Sequence, residues 1–378
     1  MKKILTVIGA RPQIIKAAAI SRELRQNYAD TLSEAIVHTG QHYDDAMSEV
    51  FFREMGIPQP HFRLEVGSGN HGAQTAAMLQ GIEKILTEEA CDALLVYGDT
   101  NSTLAGALAA SKLHIPVIHV EAGLRSFNKS MPEELNRIMC DHASTLLFCP
   151  THTAVQNLAN EGFVITPPPK TTVDRPAVYH CGDVMFDNTL FFSAMAVDRF
   201  ADSPISGTEK AFVLATIHRP YNTDDPQRLV SLVEDLLWLT EEGYNVVFPI
   251  HPRTLKALQT FASALHARIE ENERFYLIPP ASFLEMIYLE QQASLIVTDS
   301  GGVQKEAYFL RKPSVVVRTE TEWVELVEHG SAVLSFEAGA PMREAFKKQL
   351  SLKDMEFPPI FGDGKAASFI CSKIAELL

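Results

Sequence analysis

The sequence predicts an α/β protein made of two doubly wound domains. Three observations predict it. Short β-branched runs alternate with amphipathic stretches through the first half of the chain, a proline- and threonine-rich tract at 163–176 interrupts them, and the same alternation then begins again. At 378 residues the chain is also longer than one hydrophobic core usually supports.

In the first half, ILTVIG (4–9), EAIVHTG (34–40), ALLVYGD (93–99), PVIHVEA (116–122) and LLFCP (146–150) are expected strands. Segments such as 13–26 and 73–88, apolar at helical spacing, are expected helices. Strands alternating with helices pair in parallel, and near-continuous apolar strands belong to a sheet covered on both faces. The tract FVITPPPKTTVDRP (163–176) cannot continue a helix. Beyond YHCGDVMFD come FVLATIH (212–218), YNVVFPIHP (244–252), FYLIPP (275–280), SLIVTDS (294–300) and SVVVR (314–318). The expected domains are 1–180 and 181–378, and the final helix, roughly 365–378, is compatible with packing on either. Ligands of parallel α/β sheets collect beyond the C-terminal strand ends, so two such domains facing a cleft would line it with those ends.

Hydrophobic residues make up 46% of the chain and charged residues 21%, ample for two cores. The 47 acidic against 33 basic residues, net charge -14, argue against a nucleic-acid or anionic-membrane surface. A diphosphate needs only a few local donors and stays open as a ligand. Cys91, Cys140, Cys149, Cys181 and Cys371 form no CxxC pair and no zinc-like spacing with histidine, so buried thiols in a reducing compartment are expected. The run ILTVIG before Arg11 and Pro12 is too short for an export signal, and nothing approaches the ~18 apolar residues that span a bilayer. A soluble, cytoplasmic protein is the expectation.

The chemistry-bearing residues sit at expected strand ends. In TDSGGVQKEA (298–307), Ser300 suits an N-cap, while Gly301 and Gly302 let backbone N–H groups approach an anion at the helix start. Glu306, one turn on, suits ribose hydroxyls; a glycine-rich turn with an ordinary cap is the plainer reading. After the first strand, Arg11 and Lys16 stand near a helix start opened by Pro12, where charge and dipole together hold a phosphate. A solvated Lys16 is the plainer reading there.

The richest cluster lies between 97 and 142. Asp99 ends one strand, Glu121 follows another, and Glu133 opens a helix that carries Asn136, Arg137, Asp141 and His142. A carboxylate beside an apolar strand is costly to bury without a partner, and three near consecutive strand ends resemble proton-transfer machinery. The structural alternatives are a Glu121 salt bridge to Arg125 or Arg137, and a Glu133–Arg137 pair at i+4. His218–Arg219 and His251, at later strand ends, suit a diphosphate or a leaving group. No GxGxxG follows the first strand, no HExxH or clustered His/Cys marks a metal, and no GxSxG elbow is present, so neither cofactor nor metal is expected.

Taken in order, GARPQIIKAA, HTGQHYDDAM, YGDTNSTLAG, HVEAGLRSFNKSMPEELNR, TIHRPYNTDD, PIHPRT and TDSGGVQKEA resemble the non-hydrolysing UDP-N-acetylglucosamine 2-epimerase family, from Ile4 to about Val327. The resemblance implies the glycosyltransferase-B type architecture, two Rossmann-like domains facing a cleft, and a homodimer. It implies interconversion of UDP-GlcNAc and UDP-ManNAc for cell-surface polysaccharide precursors, by elimination of UDP through a 2-acetamidoglucal and re-addition. By motif it makes Asp99, Glu121 and Glu133 the acid–base candidates and His218 the helper of the departing phosphate. Arg11, Lys16 and Arg137 become diphosphate or sugar contacts, and Ser300, Gly301 and Glu306 the UDP pocket.

The chain departs from the common pattern at Gln13, where the family form has glutamate, at Pro220 and Tyr221 after His218, and at Gln41-His42-Tyr43. The last lacks the Gln-His-Arg of members activated by their own substrate. RTETEWVELVE (318–328) resembles a branch that includes enzymes acting on UDP-2,3-diacetamido-2,3-dideoxyglucuronate. The rival readings are a glycosyltransferase of the same fold, a hydrolysing epimerase and a silent sugar-nucleotide binder. Three acids favour proton exchange at C2 over glycosyl transfer.

Overall fold

The computed structural model describes residues 1–41, 56–200, 212–336, 339–352 and 354–378, so HTGQHYDDAM beyond Gln41 lies outside the described residues. The elements begin β1 (Lys2–Ile8), α1 (Arg11–Asn27), β2 (Leu32–His38), β3 (Phe62–Arg63), α2 (His71–Glu89), β4 (Ala93–Tyr97), α3 (Asn101–Lys112) and β5 (Val117–Val120). They continue α4 (Pro132–His142), β6 (Leu146–Cys149), α5 (His152–Asn160), β7 (Ala177–His180), α6 (Val184–Phe200), β8 (Phe212–Thr216), α7 (Pro220–Thr223), α8 (Pro226–Glu241) and β9 (Asn245–Pro249). The last are α9 (Pro252–Phe261), α10 (Ser263–Glu270), β10 (Phe275–Ile278), α11 (Phe283–Gln292), β11 (Leu295–Thr298), α12 (Gly301–Phe309), β12 (Ser314–Val316), α13 (Val324–His329), β13 (Ala332–Leu334), α14 (Ala340–Leu350) and α15 (Ala366–Leu377).

Two compact units result: Met1–Asn188 with Pro359–Leu378, and Thr189–Pro358. The division falls within α6, later than the expected 180, and the stretch from Pro359 goes with the first unit. In that unit the Asp187 carboxylate accepts from the backbone N–H of Ala366 (3.1 Å) and Ala367 (2.8 Å), at the start of α15. Ile370, Cys371 and Ile374 of α15 are fully buried.

The first unit holds a seven-stranded parallel sheet in the order β3-β2-β1-β4-β5-β6-β7. Every residue of β4 is buried, as a strand covered on both faces requires. Leu5, Val7, Leu94 and Val96 pack with Met78 and Ile82 of α2 and the alanines of α3. Small residues let α3 lie close, and Thr100 caps it by accepting from Thr103 N–H.

The second unit holds a six-stranded parallel sheet in the order β10-β9-β8-β11-β12-β13. Its core gathers Val213, Ala215, Phe248 and Val297 with Leu229, Leu232, Val233 and Leu236 of α8. Chain order along each sheet reverses once, between β1 and β4 and between β8 and β11. Those reversals are where doubly wound sheets bind ligands.

Candidate active site

In the first unit the reversal is held by Gln13, which is buried near the start of α1. Its Oε1 accepts from the N–H groups of Gly9 (2.9 Å) and Ala10 (3.2 Å), and its Nε2 donates to the Tyr97 carbonyl and Thr103 Oγ1, both at 3.0 Å. A neutral amide supplies both roles. The departure at Gln13 is therefore a structural tie between the ends of β1 and β4.

Asp99 follows β4 through Gly98. Its carboxylate pairs with Arg137 of α4, whose Nη1 also donates to Glu134 at 2.8 Å. Burial opposes the Arg137 charge, but Asp99, Glu134 and Glu121 outweigh it and hold its pKa above the ordinary value. Glu134 is almost fully buried and accepts from Ser126 N–H (2.9 Å), Ser126 Oγ (3.0 Å) and Phe127 N–H (2.9 Å). Burial raises the Glu134 pKa, yet those donors and Arg137 win and leave it below the usual range. Asn136 Nδ2 adds a bond to the Asp99 carbonyl at 2.9 Å.

Glu121 follows β5 and pairs with Lys16 of α1; the two side chains are 10% and 13% exposed. Its backbone is left-handed at φ 72°, a conformation that costs a residue bearing Cβ on the order of 1–2 kcal/mol. A Cβ on Gly98 would lie 3.2 Å from both Glu121 Oε2 and Lys16 Nζ, so this ion pair lies directly over the residue preceding Asp99. Asp99 and Glu121 thus share one site, each with its own cation.

Beneath them is a buried chain of charges. His119 Nδ1 lies 2.7 Å from Asp141 Oδ1 and its Nε2 lies 2.8 Å from the Gly98 carbonyl. The other Asp141 oxygen accepts from Gly123 N–H (3.2 Å) and Arg125 Nη1 (2.7 Å). Arg125 in turn grips Glu161 with two bonds of 2.7 Å. A cavity of about 570 Å³ under the proline-rich tract is lined by Glu161, Phe163 and Arg175 among others, and by none of the sequence-expected site residues.

In the second unit Asp299 is fully buried at the end of β11. It accepts from the backbone N–H groups of His218 (3.0 Å) and Arg219 (2.8 Å) and from Asn222 Nδ2 (2.9 Å). That fixes the turn after β8. His218 Nδ1 stands 3.4 Å from Asp299 Oδ1, and its ring centroid is 5.6 Å from that of His251. Burial lowers the His218 pKa, opposed by Asp299 and reinforced by Arg219 and His251, and the balance lies below the ordinary histidine value. His251 caps α9, accepting from Arg253 N–H at 3.2 Å. Ser300 caps α12, which opens with Gly301 and Gly302, and the first N–H groups of any helix have no acceptor within it. Glu306 lies one turn on, beside the buried Glu290.

Of the expected residues, the first unit brings together Lys16, Asp99, Glu121 and Arg137, with Arg11 exposed at the first position of α1 and Glu133 exposed in the first turn of α4. The second unit gathers His218, Arg219 and His251 at two strand ends, and Ser300, Gly301, Gly302 and Glu306 at another. Glu121 pairs with Lys16 and also acts electrostatically on Arg137. Arg125 takes Asp141 and Glu161, and Arg137 takes Asp99 and Glu134. Sequence reasoning missed Glu134, the His119–Asp141 pair and Asp299 as working parts; a carboxylate directly after an apolar strand was the available signal for Asp299. Among the described residues no group of His, Cys, Asp and Glu could hold a metal ion, and no helix is long and apolar enough to cross a membrane.

Residues 23–375 match the family described as UDP-N-acetylglucosamine 2-epimerase. Over 378 residues the chain is 47% identical to the UDP-2,3-diacetamido-2,3-dideoxy-D-glucuronate 2-epimerase of Pseudomonas aeruginosa, covering 99% of this chain and 100% of that one. It is 40% identical over 374 residues to the UDP-N-acetylglucosamine 2-epimerase of Methanocaldococcus jannaschii, covering 97% of each. A crystal structure of the Methanocaldococcus jannaschii UDP-GlcNAc 2-epimerase, in complex with UDP-GlcNAc and UDP, is similar with a TM-score of 0.83 at 39% identity over 99% of both chains.

Proposed function

The chain belongs to the UDP-N-acetylglucosamine 2-epimerase family, and from that premise we propose that it interconverts UDP-GlcNAc and UDP-ManNAc, with the carboxylates of the first unit moving the proton at C2. It is a UDP-sugar 2-epimerase of α/β fold. One carboxylate of the set Asp99, Glu121 and Glu133 takes the C2 proton while the C1–O bond to UDP breaks. This leaves a 2-acetamidoglucal and UDP. Another acid of the set returns a proton to the opposite face as UDP re-adds at C1.

The C2 proton is weakly acidic, so the step needs an oriented base and a stabilised diphosphate. Lys16 and Arg137 orient their partner carboxylates. In the second unit Arg219, His251, His218 and the N-terminus of α12 at Ser300, Gly301 and Gly302 suit the diphosphate, and Glu306 the ribose hydroxyls. The observation that carries the reading is the pairing of Asp99 and Glu121, at adjacent strand ends, with cations from two different helices. A homodimer working in the cytoplasm, for a polysaccharide precursor route, belongs to the same reading; sedimentation velocity tests the dimer.

Proton NMR in D2O with UDP-GlcNAc tests the chemistry: deuterium at C2 with a new manno-configured UDP-sugar is expected. A second reading keeps the mechanism and moves the substrate to UDP-2,3-diacetamido-2,3-dideoxyglucuronate, which the full-length 47% identity favours. Washout with that compound alone would establish it. No exchange with either, while UDP binds, would leave a glycosyltransferase.

A further inference from the structure

His119 is fully buried, and each of its ring nitrogens faces a group that accepts. A backbone carbonyl only accepts, so Nε2 carries a hydrogen toward Gly98, and the Asp141 carboxylate draws one from Nδ1. Burial works against a charged ring, but Cys140 and Asp141 beside it outweigh burial and push the His119 pKa well above its ordinary value. Asp141 stays ionised, since His119 and Arg125 outweigh its own burial and hold it below the usual range. The titratable groups around the ring are Asp141 and Cys140 and, behind Asp141, Arg125 and Glu161.

What the pair grips is more telling than its charge. His119 holds the carbonyl of Gly98, the residue before Asp99, and Asp141 holds the N–H of Gly123, two residues after Glu121. Gly98, Glu121 and Gly123 all adopt left-handed backbone, at φ 62°, 72° and 76°. A Cβ at Gly123 would also lie 2.4 Å from the Ala154 carbonyl, so only glycine fits there. Two turns with left-handed residues carry the two paired carboxylates, and one buried His–Asp pair ties both.

We propose that the His119 imidazolium and Asp141 form a positioning pair that holds the Gly98–Asp99 and Glu121–Gly123 turns in register, fixing the distance between the two acid–base carboxylates. The proposal rests on the epimerase reading and adds to it a group that never touches the sugar. A registry error of about 1 Å between reacting groups costs on the order of 100-fold in rate.

The test uses Asp141→Asn and His119→Gln in the full chain, with UDP binding as the readout for the second unit. In Asp141→Asn the ring loses its counter-ion, burial is less opposed and its pKa falls from the wild-type value. C2 exchange is expected to fall on the order of 100-fold at pH 8 and to recover partly toward pH 6 as the ring charges. His119→Gln, which cannot regain the charge, falls at every pH, and both variants keep the wild-type affinity for UDP. Ring 15N shifts read the pair independently of turnover: the wild type is expected to be doubly protonated at pH 8 and Asp141→Asn is not. A singly protonated wild-type ring, exchange within threefold of wild type in both variants, or a loss in Asp141→Asn that is equal at all pH values would overturn the proposal. Wild-type protein that exchanges no C2 proton would instead sink the epimerase reading, and the 15N result would still decide the state of the pair.

Discussion

Lys16 and Glu121 come from a helix after the first strand and a turn after the fifth, 105 positions apart in sequence, and they close an ion pair over Gly98. Glu121→Gln keeps the shape and the strained backbone but cannot accept a proton. It should lower C2 exchange by about 10²–10⁴-fold while the affinity for UDP stays within twofold. Glu121→Gly is equally inactive but relieves the left-handed backbone, so it should be about 0.5–1 kcal/mol more stable than Glu121→Gln in urea unfolding. Equal stabilities would mean the turn is not strained.

Glu134 makes its pH dependence through Arg137 and three local donors. Its folded pKa lies below 4.5, so its stabilisation is fully present above that value and is lost as pH falls through the folded one. Glu134→Gln should therefore unfold at lower urea than wild type at pH 7, by about 1–3 kcal/mol, with the gap narrowing as pH falls through the folded pKa. Arg137→Met leaves a buried carboxylate without its cation and should cost about 3–5 kcal/mol at pH 7.

Asp299 gathers three donors behind His218. Asp299→Ala strands them, so the turn after β8 should open and the affinity for UDP fall by at least tenfold in calorimetry. His218 itself has a folded pKa below 6.5. Its contribution to stability is complete above 6.5 and is lost as pH falls toward the folded value. The His218 ring signal should accordingly titrate at a lower pH than that of an exposed histidine.

Glu290 is fully buried, with the Glu306 carboxyl group beside it. Burial, with Glu306 alongside, pushes its pKa well above the usual range, so the folded chain holds a proton that the unfolded chain releases above 4.5. Stability should decline as pH rises from there toward the folded value. Glu290→Met removes the buried acid at similar volume. It should raise the thermal midpoint at pH 8 and change it little at pH 4.5; the reverse order would contradict a buried neutral acid.

The strands that position the site were readable because β1, β4, β5, β8 and β11 are apolar and end in polar residues, a pattern local to a few positions. β3, with two residues, and β13, with three, are too short to show any period. Helix α4 hid its working face for a different reason. Glu134, Asn136, Arg137 and Asp141 point inward while Leu135 and Met139 are exposed, the inverse of the usual amphipathic rule. Asp99 and Glu121 were visible as carboxylates at strand ends, but their partners were not: Lys16 and Arg137 lie 105 and 38 positions away. The His119–Asp141 pair depends on register between β5 and α4, which no spacing in the sequence encodes.

The first unit is discontinuous, and this orders its biosynthesis. When the ribosome has finished Asn188, the groove for Ile370, Cys371 and Ile374 and the acceptor Asp187 have nothing to hold, and the whole second unit must be made before α15 emerges. The usual rule that N-terminal domains fold first is therefore inverted for the last step here. The continuous second unit can be complete while the first unit still exposes an apolar seam. Chains stopped near Pro358 should accumulate as aggregates or chaperone clients even though the residues they lack are far in sequence from Asp99 and Glu121.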